Sequence, residues 1–369
     1  MYSFSSQVRH VRSALLAVSI GVLALSGLTA CGDDGDDTAA NTSASFPAEP
    51  ATGAPIKIGF VSSEGGAIGT ALTSVRQSAE AATRYLNDNA GGIKGHKIEL
   101  VVCKQEETPA TATACATTGA FSLTGGTVAI LNGMAQTAAG DGIKKIAVIA
   151  GTGPDSASLL KQIGGRFFTK AGVEAEFIGI PLDTPDPTPQ ITAALKGKPG
   201  AVGVLGDGRL CTALLKTLPA ASADTTPYVL GPCLDKTVLE AVGGDAVKGA
   251  KLFGSNTAYS DEPESALYRQ ILGAYAPDVD PAGIGYGGYQ AVMGFAEALN
   301  KSAVTDFTPA GVKQAMTATK DVPLPSAGGL TFTCDGKAFP LLSALCSLKT
   351  VVSDVDADGR WSGDRVVGA

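Results

Sequence analysis

Short apolar runs alternate with helical patterns along most of the chain. Residues 56–61 form an apolar run of the kind found in buried strands, and residues 70–87 follow with apolar positions at helical spacing. Further strands are predicted at residues 97–103, 127–131, 144–150, 175–180, 202–205 and 228–230, and further helices at residues 108–121, 159–170 and 286–299. This alternation predicts an α/β fold in which helices cover both faces of a parallel sheet.

The pattern changes near the C-terminus. Asp-Gly pairs at residues 335–336 and 358–359 each stand between extended segments. Such pairs are strong signals for tight turns, so we expect β-hairpins at the end of the chain.

Residues 1–30 have the pattern of an export signal. Arg9 and Arg12 precede an uncharged apolar run at residues 13–28, which is shorter than the roughly 20 residues that a membrane-spanning helix needs. A basic start, a short apolar run and small residues before a cut site are typical of a secretory signal peptide. The segment Leu-Thr-Ala-Cys that ends at Cys31 resembles a lipobox. We therefore expect Cys31 to carry lipid and to begin the mature protein; the alternative is an ordinary signal peptide with a chance cysteine.

The rest of the composition agrees with an exported protein. Residues 31–55 carry several aspartates, small polar residues and prolines, so we expect a disordered tether that buries no core. Removing residues 1–30 takes away two of the 28 basic residues and none of the 35 acidic ones, which leaves a net charge of −9. Such a protein has no electrostatic reason to bind nucleic acid or anionic lipid heads. Residues 56–369 exceed what one core usually holds, which predicts two lobes.

The cysteines also indicate export. Besides Cys31 there are six, and they fall along the chain as three neighbouring pairs. Six cysteines allow 15 pairings, of which pairing between sequence neighbours is the simplest. Their spacings do not match a zinc site, so disulfides in an oxidising compartment are favoured over free or metal-bound thiols. The predicted pairs are Cys103 with Cys115, Cys211 with Cys233, and Cys334 with Cys346.

Two motifs have alternative interpretations. The segment GTGPDS at residues 151–156 resembles the start of a dinucleotide-binding turn, but Ser156 replaces the third glycine, and a partial match of this kind is a weak signal. Aspartates alternate with other residues at 354–358 as in a calcium loop, but Arg365 replaces the glutamate of the twelfth position, which favours a hairpin turn.

The residues give no support for catalysis. His96 is the only histidine after the signal peptide, and no Ser-His or Cys-His pair or histidine-based metal site has support beyond it. We expect His96 to be a solvated loop residue. The prediction is therefore no catalytic residue, no metal, no cofactor and no enzymatic activity.

The turn AGGIKG at residues 90–95, between a predicted helix and a predicted strand, is the most specific of several matching segments. The others lie at residues 56–69, 97–102, 142–148, 188–192, 205–208 and 227–299. Together they resemble the branched-chain amino-acid binding proteins, which are the class I periplasmic binding proteins that serve ATP-driven importers. The resemblance covers most of residues 56–361.

This resemblance implies two Rossmann-like α/β lobes that close on a small solute held between them. We expect lobe 1 to comprise residues 56–140 and about 256–322, and lobe 2 to comprise residues 141–255 and about 323–369. One departure is the connection at residues 132–143, which barely reaches the dozen residues that a parallel crossover needs. We therefore expect a shortened first lobe.

The resemblance also implies where the solute binds. Ligands of open α/β sheets lie at the loops after the carboxyl ends of strands. Asp155 stands where many family members have an aromatic residue, and Ser62 and Asp207 could equally be helix caps. The expected ligand-binding residues are Ser62, Ser63, Glu64, Asn132, Gly133, Ala135, Gln136, Thr137, Asp155, Asp207, Gly208 and Gly231.

Two functions agree with these features. The first is an extracytoplasmic solute-binding lipoprotein that delivers a small polar solute, an amino acid or a relative, to ABC permease subunits by hinge closure. The second is a surface lipoprotein with the same scaffold that acts as a ligand sensor or interaction module without transport. An exported enzyme ranks third. We expect a monomer that is attached by its lipid to the outer face of the cell membrane.

The lipobox interpretation gives the first prediction. Replacing Cys31 with Ser should move the protein from the membrane fraction to the soluble fraction, because serine lacks the thiol that carries the lipid. Immunoblots of the two fractions measure the change, with Asp33→Ser, two residues away, as the control. A Cys31→Ser protein that stays with the membrane would contradict the interpretation.

Overall fold

Two sheets, each with its own helices, organise the protein. The computed structural model describes residues 46–63, 69–105, 120–152, 154–221 and 224–368. The strands are β1 (Gly53–Ser63), β2 (His96–Gln105), β3 (Lys145–Gly151), β4 (Glu174–Ile180), β5 (Ala201–Leu205), β6 (Thr226–Val229), β7 (Lys251–Gly254), β8 (Val322–Pro323), β9 (Thr331–Phe332), β10 (Thr350–Val355) and β11 (Trp361–Val367). The helices are α1 (Gly69–Asn89), α2 (Gly126–Gly140), α3 (Pro154–Ala171), α4 (Thr188–Leu195), α5 (Gly208–Ala221), α6 (Lys236–Val242), α7 (Pro263–Tyr275), α8 (Tyr286–Lys301) and α9 (Pro309–Ala318).

The first lobe has a small parallel sheet with helices on one face. Among the described residues this sheet consists of β1 and β2 alone. Ile58 and Leu100 pack toward the core formed with α1, α7 and α8, whereas Val61 and Val101 alternate with them and are about half exposed. The shortened first lobe predicted from the sequence is therefore confirmed.

The turn between α1 and β2 has the geometry that its glycines permit. Gly91 and Gly92 have φ angles of 67° and 64°, in the left-handed region that side chains disfavour. A Cβ on Gly92 would lie 2.0 Å from the carbonyl oxygen of His96. The Nδ1 atom of His96 lies 2.8 Å from the carbonyl oxygen of Ala54, so this histidine begins β2 rather than standing in a solvated loop.

The second lobe is built on a seven-stranded sheet in the order β11-β10-β7-β6-β5-β3-β4. Strands β4, β3, β5, β6 and β7 run parallel, and β10 is antiparallel to both β7 and β11. Ile146 and Val148 pack against α2 and α3, whereas Ala147 and Ile149 pack against α4, α5 and α6. This apolar strand buried on both sides is typical of a parallel sheet covered by two helical layers. The α/β prediction is confirmed.

Three crossings of the chain between the lobes, among the described residues, contact one another. The first precedes α2, the second follows β7, and the third precedes β10. Ser122 of the first forms a parallel bridge with Leu345 at the third. The Thr350 hydroxyl, on the third, donates to the carbonyl of Gly254 at the second over 2.7 Å.

The side chain of Gln290 joins these crossings to the first lobe. Its amide nitrogen donates to the carbonyls of Ser255 (2.8 Å) and Ser326 (3.1 Å), and its amide oxygen accepts from the Ser255 hydroxyl (2.7 Å). Gln290 is almost fully buried. Buried polar groups need such partners, so this amide holds the second crossing in place.

The fold begins earlier than the sequence predicted. The ring of Phe46 packs against Tyr85 and Tyr275, with ring centroids 5.1 and 6.1 Å apart. Residues 46–55 therefore belong to the first lobe, which corrects that part of the disordered tether predicted for residues 31–55; residues 31–45 lie outside the described residues. One aromatic ring in a polar stretch supplies no periodicity, so this packing could not be predicted from the sequence.

The strand predicted at residues 127–131 is wrong, because this segment is the first part of α2. Its β-branched residues suggested a strand, but the run continues through good helix formers, and Leu131 and Met134 are fully buried against the second-lobe sheet. A Cβ on Gly133 would lie 2.3 Å from Cγ2 of Thr350, so the helix sits close to β10.

The predicted lobe ranges change at two places. Residues 126–140, predicted in lobe 1, pack on the second-lobe sheet as α2. In the opposite sense, Leu330, Phe332 and Cys346, predicted in lobe 2, belong to the first-lobe core. Both changes follow from the direction in which the apolar side chains pack.

One of the two predicted hairpins has the expected turn. β10 and β11 pair across residues 358–359, where Gly359 has a φ of 72°. Asp356 accepts hydrogen bonds from two N–H groups of this turn, so the aspartates form a hairpin turn rather than a calcium loop. At residues 335–336 the outcome differs, because β9 pairs with the preceding β8.

The cysteines and the membrane prediction have separate outcomes. Cys103 is disulfide-bonded. Its predicted partner Cys115, the lipidation site Cys31 and most of the helix predicted at 108–121 lie outside the described residues. Within the described ranges, no helix is long and apolar enough to cross a membrane. The confirmed bridges are Cys211–Cys233 and Cys334–Cys346.

The contact between α1 and α8 gives the second prediction. A Cβ on Gly288 would lie 1.7 Å from the carbonyl oxygen of Val75, so Gly288→Ala should lower the free energy of unfolding by about 3 kcal/mol through overpacking. Gly287→Ala is the matched control, because a Cβ at Gly287 meets nothing within 4 Å and should stabilise the helix by about 0.5–1 kcal/mol. Urea unfolding of both variants measures the difference. Equal stabilities would contradict the close packing.

Candidate functional site

Four of the loops that follow the parallel strands of the second lobe start at one edge of its sheet, which we call the cleft edge. Because β3, β5, β6 and β7 run parallel, the loops that follow them all start at their carboxyl ends. Solutes of α/β proteins bind at such an edge. The loops begin at Thr152, Gly206, Leu230 and Ser255.

A disulfide joins two of these loops. The 3₁₀ turn Gly231–Leu234 follows β6, and its Cys233 is bonded to Cys211 near the start of α5. Both cysteines are fully buried in the second-lobe core. Because α5 follows β5, the bridge fixes the loop after β6 relative to the loop after β5.

A loop of the first lobe, residues 276–285, reaches the second lobe at the cleft edge; we call it the contact loop. Ala282 packs against the second-lobe core. A Cβ on Gly231 would lie 3.6 Å from Cγ2 of Ile284, and the Asn256 amide donates to a contact-loop carbonyl over 2.9 Å. The two lobes therefore touch on the side of the cleft that the contact loop covers.

Aromatic side chains hold the second crossing against β11. The indole N–H of Trp361 donates to the carbonyl of Asn256 over 3.1 Å. The ring of Tyr259 meets that of Trp361 with centroids 4.5 Å apart, and the Arg360 guanidinium lies 4.6 Å from the Tyr259 centroid, within cation–π range. These contacts attach the residues after β7 to the second lobe.

The space between the lobes at the contact loop is small. A cavity of about 10 Å³ lies there, walled in part by Gly231, Ala282, Tyr286 and Trp361. Pockets for small molecules are commonly about 300–1,000 Å³. A solute can therefore occupy this part of the cleft only when the lobes move apart.

The rim of the cleft is acidic. Asp235 follows the 3₁₀ turn of the second lobe, and Asp280 lies on the contact loop. Burial raises the pKa of Asp235, and the carboxylate of Asp280 raises it further. The pKa of Tyr259 is also raised, chiefly by burial and then by Asp280. Like charges on Asp235 and Asp280 repel each other when both are ionised.

Several predicted residues lie at or beside strand ends. Ser62 is buried at the end of β1. Asp207 accepts the N–H of Leu210 over 2.9 Å, as a helix cap does, which is the alternative that the sequence left open. Gly208 begins α5, and Gly231 lies on the wall of the small cavity.

The structure tells less about three further predicted ligand-binding residues. Ser63 ends β1, and Asp155 lies in the first turn of α3, after β3, as the sequence predicted. Glu64 lies outside the described residues. Whether these residues contact a solute remains a prediction.

The predicted residues on α2 leave the candidate site, because they were assigned to a strand end that does not exist. The Asn132 amide donates to the carbonyls of Leu348 (3.2 Å) and Gly368 (3.1 Å), and Gln136 accepts the N–H of Gly368 (3.1 Å). This part of α2 therefore fastens the C-terminal segment. The residues withdrawn are Asn132, Gly133, Ala135, Gln136 and Thr137.

Sequence reasoning missed Asn256 and the contact loop. The strand before Asn256 is only Lys251–Gly254, and its apolar pair Leu252-Phe253 was too short to recognise. Had it been identified as a strand, the strand-end rule would have selected Ser255 and Asn256. The contact loop has no periodic pattern, so no signal of this kind could have found it.

A larger cavity, of about 740 Å³, lies elsewhere on the first lobe. Its walls come from residues 298–323, which include the end of α8, α9 and β8. Asn300 beside it accepts the N–H of Lys94, near the start of β2, whereas the cleft lies at strand ends. Because one continuous stretch forms its walls, closure of the lobes would not enclose a ligand there.

Comparison with known families identifies the architecture. A sequence model described as periplasmic binding protein matches residues 55–119 and 116–340. A sequence search of curated proteins gives no match. The match spans most of both lobes and the first two crossings between them.

Solved structures of solute-binding proteins have the same fold. A branched-chain amino acid transporter substrate-binding protein of Streptococcus pneumoniae, in complex with isoleucine, aligns with a TM-score of 0.60 and 14% identity over 85% of this chain and 99% of its own. A fatty acid ABC transporter substrate-binding protein of Thermomonospora curvata aligns at 0.62 and 17%, over 87% and 94%. A solute-binding protein of an R. palustris ABC transporter, in complex with 4-hydroxybenzoate, aligns at 0.61 and 14%, over 83% and 95%.

The carboxylates of the rim give the third prediction. The raised pKa of Asp235 means that the folded state binds its proton more tightly than the unfolded state does, so ionisation costs stability as pH rises through this pKa. Asp235→Asn should therefore raise the melting temperature at pH 7, by about 1 °C for a partly exposed pair. The gain should vanish as pH falls below about 4, the ordinary pKa of an aspartate, because the parent carboxyl is then protonated in the folded and unfolded states alike.

Melting curves from pH 3.5 to 8 measure this effect. Asp245→Asn, on an exposed turn of the same lobe, changes the net charge equally and is the control. A gain for Asp235→Asn that stays constant over this pH range, or that the control reproduces, would rule out the Asp235–Asp280 interaction.

Proposed function

Because this chain belongs to the periplasmic binding protein family, we propose that it is an extracytoplasmic solute-binding lipoprotein that delivers a small polar solute to an ABC importer. The open form admits the solute between the lobes. Closure then brings the contact loop against the loop after β6, and the permease recognises the closed form.

The contact loop is the observation that carries this proposal. The lobes are joined by crossings, of which Gln290 holds the second, and they also touch beside that crossing through Ala282 and Ile284. Such an arrangement lets the lobes turn about the crossings and separate at the contact loop. A hinge formed by a few residues at the ends of elements is typical of this motion.

The solute we propose is an amino acid or a relative. The similar structures are named for isoleucine, fatty acid and 4-hydroxybenzoate binding or transport, so the family scaffold accepts several classes of solute. The acidic rim formed by Asp235 and Asp280 supports a solute with an ammonium or amide group over a fatty acid.

A second function is favoured by one observation, the small sheet of the first lobe. Two described strands give this lobe less surface at its strand ends than the seven strands of the other lobe. A lipoprotein that senses a ligand or binds a partner, without delivering solute, would need less of a first-lobe wall. In both functions we propose attachment through lipid at Cys31 and a monomeric protein.

The fourth prediction tests solute binding. A solute at a hundredfold excess over its Kd stabilises the folded state by roughly 2.7 kcal/mol, which should raise the melting temperature by a few degrees. We expect such a shift from at least one solute in a panel of amino acids, amides, hydroxybenzoates and fatty acids. Small-angle X-ray scattering should show the radius of gyration fall with the same solute.

A cross-linked variant provides the control. A Cβ on Gly231 would lie 3.6 Å from Cγ2 of Ile284, so Gly231→Cys with Ile284→Cys should form a disulfide that locks the lobes together. The oxidised variant should show neither the shift nor the contraction, and reduction should restore both; Ile284→Cys alone should behave like the parent. If no solute produces the shift, the importer proposal fails. A shift without uptake of labelled solute by cells would favour the sensor.

A further inference from the structure

One atom of the Asn256 side chain is buried without a partner at the junction of the lobes. Asn256 is 6% exposed, and its Oδ1 atom has no hydrogen-bond partner within the described part of the chain. Its Nδ2 atom donates to the carbonyls of Pro281 (2.9 Å) and Gly283 (3.5 Å). Turning the amide over would set oxygen against these two oxygens, so the contact loop fixes Oδ1 as the unpaired atom.

The small cavity under the contact loop is the space next to this side chain. Asn256 lines it together with Gly231, Phe253, Val351 and other residues of both lobes, and its volume is about 10 Å³. A site for one water needs roughly 10–15 Å³ and polar partners. Polar and apolar walls meet here, and Asn256 supplies an acceptor with no donor.

We propose that this cavity binds one small hydrogen-bond donor at Oδ1 of Asn256, supplied by a water molecule or by a terminal N–H or O–H group of the solute. The cavity is too small for more than one such group. The donor bonds a residue that already contacts the contact loop and Trp361. It therefore strengthens the junction only while the lobes are closed.

The two sources of the donor differ in what they require. A water fills the cavity whenever the lobes are closed, with or without solute. A solute group fills it only in the complex, and this second source rests on the proposed function. In that case the solute class is restricted to molecules with a slender donor group, such as an ammonium, amide or hydroxyl.

Crystal structures at a resolution that shows ordered water distinguish these sources. One crystal contains the protein alone, and the other contains the solute that gives the largest thermal shift. We expect an atom within 2.7–3.2 Å of Oδ1 in at least one of them. A water in both crystals identifies water as the donor, and a solute atom in the second identifies the solute. An Oδ1 with no such atom in either crystal, or one bonded to a protein group, would overturn the proposal.

A double-variant cycle gives an independent readout. Val351→Ile adds one methylene beside the cavity, so it should displace the donor and lower the melting temperature of the protein without added solute by roughly 1–4 °C if water is the donor. Combined with Asn256→Leu, which removes the acceptor, the same change should have no further cost. Val366→Ile, on the exposed strand β11, is the matched control.

The cycle separates the donor from simple overpacking. An equal loss from Val351→Ile in both backgrounds would indicate overpacking and would overturn the water source; no loss, or a gain, would mean that the cavity is dry without solute. A solute shift in the parent protein together with a dry cavity in both crystals would leave the proposed function standing and reject this inference alone.

Discussion

The buried amide of Gln290 determines where the two lobes are joined. A chain that passes from one lobe to the other loses its regular hydrogen bonds at the crossing, and its backbone groups need other partners. Gln290 supplies one such partner, to the carbonyl of Ser255 at the second crossing, and it also donates to the carbonyls of Pro325 and Ser326 in the first lobe. Because α8, which carries Gln290, also packs against α1 through Gly288, the hinge belongs to the first-lobe core. Movement of the second lobe is therefore movement about a point fixed in the first.

Most strands of the second lobe could be predicted from the sequence, and so could β1 and β2 of the first lobe. β3 and β5 are continuous apolar runs because helices cover them on both faces, and such runs are visible in the sequence. The bridges Cys211–Cys233 and Cys334–Cys346 follow the order of the chain and were also predicted. β7 is too short to be recognised in the sequence, so Asn256, which follows it, was not predicted as a site residue.

The largest errors of prediction arose because the sequence does not show which lobe a segment packs against. α2 begins with β-branched residues that suit a strand as well as a helix, and only its burial against β10 decides between them. The ligand-binding residues predicted at the end of this supposed strand therefore lie on a helix instead. Of the residues that meet across the cleft, sequence reasoning found Gly231 from the strand-end rule, but it could not find the contact loop, whose position depends on tertiary contacts alone.

The first lobe is assembled from distant parts of the chain, and this affects the order of folding. Phe46 packs against Tyr275, and Lys94 bonds to Asn300, 206 residues away. Contacts between residues this far apart in sequence form slowly, because a long loop must close before the contacts stabilise the fold. β1 and β2 precede α7 and α8 along the chain. Until those helices pack on them, the apolar face of these strands is uncovered, and such partly folded chains are prone to aggregation.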